Sequence, residues 1–301
     1  MAVRRVTGWL ALCTVALVPG GSAIHSAAPP AASFPVPVAD APYARTAGET
    51  DVTDHAYGSR RDQRVTVYEN RGGTGPRPAV LLLHGGYWSY RGTWSSLPYD
   101  LADDGFVVLD AGYALSPHGR WPAQIDDARR ALDWTIENAD RLGVDPDRIV
   151  ALGSSAGGHV ATVLGAHPGA RGKLRGVVAL SPVVSPYRAW VNGGRKGASP
   201  RQRRLRDAAE ELVGCRPVRS DPACRERWRS ASVGRYASKE AAPMLLLHSS
   251  DDYVPAANTR AVTGRMPSAT VRVVPGGGHG RGLLSPEVTA EMVRWAKDRV
   301  R

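Results

Sequence analysis

Two glycines bracket three small residues at Gly153-Ser154-Ser155-Ala156-Gly157, straight after the apolar run Ile149–Leu152 and straight before the apolar, helix-compatible segment Gly158–Leu164. Few backbones accommodate that order. A buried strand that must turn sharply into a helix needs residues without bulk at the turn, and a G-x-S-x-G turn lifts its middle serine clear of the strand end. Ser155 is therefore the candidate nucleophile. A serine hydroxyl is a weak nucleophile near neutral pH, so this reading requires a histidine base, an acid to orient it and donors for a developing oxyanion.

The rest of the chain alternates strand and helix in the way a parallel sheet demands. Ala79–Leu83 is a continuous apolar run, as expected of a strand covered on both faces. The run Phe106–Asp110 and the later runs Gly176–Leu180, Pro243–His248 and Thr270–Val274 read alike, whereas Arg64–Tyr68 alternates like a half-exposed edge strand. Between them, Ile125, Ala128, Leu132 and Ile136 recur at helical spacing after Trp121-Pro122, with the acids of that helix, Asp126 and Asp127, solvated or structural. Gly143 ends the helix and Asp145-Pro146-Asp147 predicts a turn. From 184 to 235 no strong core run occurs. That stretch holds many arginines, Tyr187, Trp190 and Trp228, and is too long for an ordinary connection, so it reads as a cap insertion over the site. Its aromatics either line a substrate pocket or pack the insertion against the body.

Before the folded domain, Arg4 and Arg5 precede the apolar run Trp9–Val18, followed by Pro19 and small residues near Ala23 and Ala27. This is the pattern of a secretory signal peptide over 1–27, and the run is too short for a membrane helix of about 20 apolar residues. An alanine- and proline-rich lead-in over 28–50 precedes a catalytic domain over 51–301. An exported chain freed of Cys13 retains Cys215 and Cys224, which predicts one disulfide. The net charge of +11 raises the question of nucleic acid. The basic residues are spread along the chain, with a dense group only from Arg195 to Arg206, so a solvated basic surface is the expectation and nucleic acid is not a partner.

His84-Gly85-Gly86-Tyr87-Trp88 follows the first buried strand, and glycines there let backbone N–H groups approach a ligand closely. Pro275-Gly276-Gly277-Gly278-His279-Gly280 places a histidine in a flexible loop after the last strand, which makes His279 the candidate base. Together these segments resemble the α/β-hydrolase superfamily over about Val65 to Arg299, in particular secreted carboxylesterases with an HGG motif and a GxSAGG elbow. Gly112–Leu115, Trp121–Ala123 and Gly143–Arg148 are similar to esterases related to bifunctional feruloyl and acetyl-xylan esterases, and the HGGYW segment to kynurenine formamidase.

The resemblance implies an α/β-hydrolase fold: a mostly parallel central sheet flanked by helices, with a small cap insertion. It implies a serine carboxylesterase acting on small-molecule esters, with Gly85, Gly86 and Ala156 as oxyanion donors and His84 bracing their loop. An amidase on the same triad and an inactive binding protein are the alternatives. The acid lies in Asp251-Asp252-Tyr253-Val254-Pro255, where similarity to D-x-x-V-P loops favours Asp251 and the spacing from His248 favours Asp252; Asp251 is preferred. No cofactor or metal is expected. After removal of the leader no membrane anchor is expected, and the oligomeric state is left open.

Overall fold

The computed structural model describes residues 50–73, 75–217 and 220–301. The expected leader over 1–27 and the lead-in over 28–50 lie outside the described residues, except for Thr50, which opens the first strand. In chain order the elements are β1 (Thr50–Ala56), β2 (Arg64–Asn70), β3 (Arg77–Leu83), α1 (Leu97–Asp103), β4 (Val107–Ala111), α2 (Ala123–Glu137), α3 (Ala139–Leu142), β5 (Val144–Ser154) and α4 (Ala156–Ala166). There follow β6 (Gly176–Leu180), α5 (Pro186–Gly193), α6 (Pro200–Val213), α7 (Pro222–Ser230), β7 (Met244–Ser249), α8 (Ala256–Thr263), β8 (Ala269–Val274) and α9 (Pro286–Arg299).

The eight strands form one sheet in the order β1-β2-β4-β3-β5-β6-β7-β8. β1 pairs antiparallel with β2, and β2 antiparallel with β4; every pairing from β4 to β8 is parallel. Parallel strands need helical crossovers, which cover both faces of the sheet. That is why the central strands carry no polar alternation. Leu81, Leu83, Ile149 and Ala151 face one buried cluster with α2 and α4, while Val80, Leu82, Val150 and Leu152 face the other with α1 and α9. β1 has no such signal, being largely exposed. The turn expected at Asp145-Pro146-Asp147 lies inside β5, where the pairing with β3 skips from Arg77–Val144 to Ala79–Ile149. The ladder absorbs it as an irregularity, so no separate loop forms.

One acid of α2 is more than a surface group. Asp127 is buried and accepts from Gln63 Nε2 at 2.8 Å and from the Ala114 backbone at 2.9 Å, and it also pairs with Arg60. It ties the turn before β2 to the segment after β4.

Between β6 and β7 the chain builds α5, α6 and α7. Ser199 caps α6 through a reciprocal capping box with Gln202, Pro200 occupies its first turn, and Gly214 ends it in the left-handed region at φ 75°. The expected Cys215–Cys224 disulfide joins the end of α6 to α7. Trp228 is buried and donates to Cys215 O at 3.1 Å, and Trp190 Nε1 donates to Glu210 at 3.1 Å. Arg206 lies 3.9 Å from the Trp190 ring centroid. These aromatics pack the insertion internally.

Candidate active site

The C-terminal ends of β3, β5, β6 and β7 converge on Ser155. It sits between β5 and α4 with φ 53° and ψ −110°, a strained conformation for a residue with a Cβ. The turn around it is tight. A Cβ on Gly153 would stand 2.3 Å from Gly157 O, and one on Gly157 would stand 1.9 Å from Leu83 O. Ser155 N–H donates to Leu180 O at 2.8 Å, which pins the elbow to β6.

His279 Nε2 lies 2.8 Å from Ser155 Oγ, and His279 Nδ1 lies 2.7 Å from Asp252 Oδ1. The carboxylate facing His279 is thus Asp252, and Asp251, the preferred acid in the sequence, is exposed. The reason is the turn after β7. Asp251 N–H donates to Gly276 O at 3.0 Å, while Asp252 Oδ1 accepts from the Val254 backbone at 2.9 Å, and this local side-chain turn directs the second aspartate inward. The Asp252 side chain is 1% exposed. Burial alone would raise its pKa, but the facing His248 and His279 rings and the Ser181 hydroxyl outweigh that and hold it well below the ordinary carboxylate range. His248, fully buried, bonds Thr259 Oγ1 through Nε2 at 2.9 Å and turns Nδ1 toward Asp252 Oδ2 at 3.7 Å.

The histidine loop is held by serines from three strand ends, a feature that sequence reasoning missed. Gly280 N–H donates to Ser181 Oγ at 2.9 Å, Arg281 N–H donates to Ser154 Oγ at 3.0 Å, and Ser249 Oγ donates to Gly278 O at 2.5 Å. Ser181 is itself strained, at φ 49°. The signal was faint: each is a serine at the C-terminal end of a buried strand, where apolar residues stop.

Gly85 and Gly86 lie on the loop after β3, directly beside the elbow. A Cβ on Gly85 would be 3.1 Å from Ser154 O and 3.6 Å from Ser155 Cβ, and one on Gly86, at φ 126°, would be 2.0 Å from Tyr90 O. At Gly86 the loop can take this course only with glycine. Ala156 is the first residue of α4, so its N–H has no partner within the helix. No hydrogen bond among the described residues uses the N–H of Gly85, Gly86 or Ala156.

His84 is buried away from the triad, stacked 4.3 Å from Tyr113 with Nδ1 2.8 Å from Gly85 O, and burial pushes its pKa down to about 4. It braces the glycine loop. His159 does a similar job on the other side: its Nδ1 accepts from Trp88 Nε1 at 3.1 Å and its Nε2 bonds Ala231 O at 2.7 Å. Burial lowers its pKa to about 4 as well, and the two bonds together require one neutral tautomer. His159 thereby links the loop after β3, the elbow helix and the end of the insertion. Among the described residues no group of His, Cys, Asp and Glu has the makings of a metal site.

The BD-FAE family model matches residues 65–181, the span from β2 past the elbow; Asp252 and His279 lie beyond it. Esterase LipC of Mycobacterium tuberculosis (strain ATCC 25618 / H37Rv) is 30% identical over 244 residues, which cover 76% of this chain and 59% of LipC. The chain therefore spans less than two thirds of this curated relative. A solved structure of esterase B from Lactobacillus Rhamnosis superposes with a TM-score of 0.71 at 20% identity, over 85% of this chain and 88% of that one. A truncated carbohydrate esterase from gut microbiota gives a TM-score of 0.69 at 20% identity, over 84% and 98%. At such identities the likeness is one of fold.

Proposed function

We propose that the chain is a member of the α/β-hydrolase superfamily, whose fold it shares, and a carboxylesterase working through Ser155, His279 and Asp252. The observation that carries this reading is the continuous hydrogen-bonded line from Ser155 Oγ through His279 to Asp252, at 2.8 and 2.7 Å, on a strained elbow. His279 Nε2 accepts the Ser155 proton as Oγ attacks the ester carbonyl, and returns it to the departing alcohol. Water, deprotonated by the same nitrogen, then releases the acid from the acyl-enzyme. Asp252 keeps the proton on Nδ1 and stabilises the imidazolium in each step. The free N–H groups of Gly85, Gly86 and Ala156 receive the oxyanion, and losing one such donor typically costs about 10² to 10³ in turnover.

The same reading takes the chain to be exported, with 1–27 as a cleaved leader. The disulfide is consistent with an oxidising compartment, and no helix of the described residues is long and apolar enough to cross a membrane.

Hydrolysis of p-nitrophenyl esters from acetate to octanoate, by the parent and by Ser155→Ala, tests the proposal. Turnover that vanishes with the hydroxyl is the expected result. A folded parent inert on all of these esters would overturn it, and cleavage of an N-formyl amide instead would move the triad to amide chemistry.

A further inference from the structure

α6 presents Arg201 and Arg204, one helical turn apart, on its exposed side. Neither forms an ion pair among the described residues. Both lie over aromatic rings that lead to the triad. The Arg204 guanidinium carbon is 4.4 Å from the Tyr87 ring centroid and 5.7 Å from that of Tyr90, and the Arg201 carbon is 6.0 Å from that of Tyr253. Tyr253 in turn packs against His279 with centroids 4.1 Å apart, and its hydroxyl donates to Tyr87 Oη at 3.2 Å. Tyr87 belongs to the glycine loop beside Ser155. From either guanidinium to the reacting hydroxyl there are only a few successive contacts.

Two features argue against a merely solvated surface. The insertion is fastened here: Gln202, which caps α6, also donates to Tyr253 O at 3.3 Å, so the arginines are carried on a helix tied to the loop of Asp252. Tyr253 beneath Arg201 supplies no negative charge either, because burial holds its hydroxyl well above its ordinary pKa. The Tyr87 hydroxyl accepts from Tyr253, which leaves its O–H free to donate to a ligand. Nearby acids do exist: Asp207 and Glu211 follow on α6, and Asp251 is exposed on the adjoining loop, yet none pairs with Arg201 or Arg204 among the described residues.

The geometry points to a subsite for an anionic group, in which Arg201, Arg204 and the Tyr87 hydroxyl receive a carboxylate carried by the ester substrate some atoms from the scissile carbonyl. The inference rests on the esterase reading above and narrows its substrate class to anionic esters. A guanidinium offers paired N–H donors to a carboxylate, and unpaired cations at the mouth of a site raise the local concentration of an anionic substrate.

The experiment compares kcat/KM for two matched pairs: the p-nitrophenyl half-ester of adipate against p-nitrophenyl heptanoate, and 4-acetoxyphenylacetate against 4-ethylphenyl acetate. The first places the charge on the acyl side, the second on the alcohol side. At low ionic strength we expect the charged member of at least one pair to be favoured about tenfold, shrinking to about twofold or less at high salt. In Arg201→Gln/Arg204→Gln the charged-to-neutral ratio should fall to near one, and in Arg201→Lys/Arg204→Lys most of it should survive. The salt dependence is measured on the parent and needs no variant to fold. Preference for the neutral member in both pairs, or a preference that persists in the glutamine variant, would overturn the subsite while leaving the esterase intact. If no member of either pair is cleaved, the esterase reading has failed first.

Discussion

The end of the sheet and the exposed side of α6 treat polar groups in opposite ways. Around Ser155 nearly every side chain has a fixed partner: Ser154 and Ser181 hold the histidine loop, Asp252 holds His279, and His159 joins three segments. On α6, Arg201 and Arg204 rest on aromatic rings without a carboxylate. The first region is built so that one geometry is allowed. In the second, charge is displayed and left to be met. The contrast suggests a division of labour, in which the strand ends determine what bond is broken and the insertion influences which substrates arrive.

Substitutions at the strand ends should break that contrast most severely. Asp252→Asn leaves His279 without a charged partner and should lower kcat by about 10⁴, whereas Asp251→Asn should change it by no more than about twofold. Steady-state kinetics on one short ester distinguishes the two. Ser181→Ala frees the Gly280 backbone and lets the histidine loop shift, which should reduce kcat by about 10- to 100-fold with KM little altered. A loss confined to KM would show that Ser181 does not position the base.

Acid sharpens the comparison through two of the buried histidines, His84 and His159. In the unfolded chain each imidazole takes a proton near its ordinary value of 6.5, but in the folded protein not until about 4. Between these values the unfolded state binds more protons, so stability should fall as pH drops from 6.5 towards 4, by on the order of 3 kcal/mol for each group. Denaturant midpoints across that window should fall less steeply in His159→Gln, which keeps a donor and an acceptor but cannot charge. The smallest effect belongs to the insertion. Cys215→Ser/Cys224→Ser should cost about 2 to 3 kcal/mol in stability, chiefly by releasing the unfolded chain, while kcat on a short neutral ester holds.

Much of this architecture is readable in the amino-acid order because burial on both faces leaves a plain mark. β3, β5, β6 and β7 each contain an uninterrupted apolar run, and the glycines at 153, 157, 85 and 86 mark where backbones approach closely. Other features leave no such mark. β1 is exposed and has no apolar pattern, and the choice between Asp251 and Asp252 turns on a side-chain-to-backbone bond to Val254 that spacing alone does not determine. The tasks of Ser154, Ser181 and His159 depend on partners far away in sequence, so each looks unremarkable within its own strand or helix.

The most direct test of the central claim is to mix the protein rapidly with p-nitrophenyl acetate, quench within the first turnover, and locate any acetyl group by peptide mass spectrometry. The account predicts a burst of nitrophenol, one acetyl group per chain on Ser155, and in Asp252→Asn a much slower appearance of both. Acetylation at another residue, or the same burst in Asp252→Asn as in the parent, would contradict it.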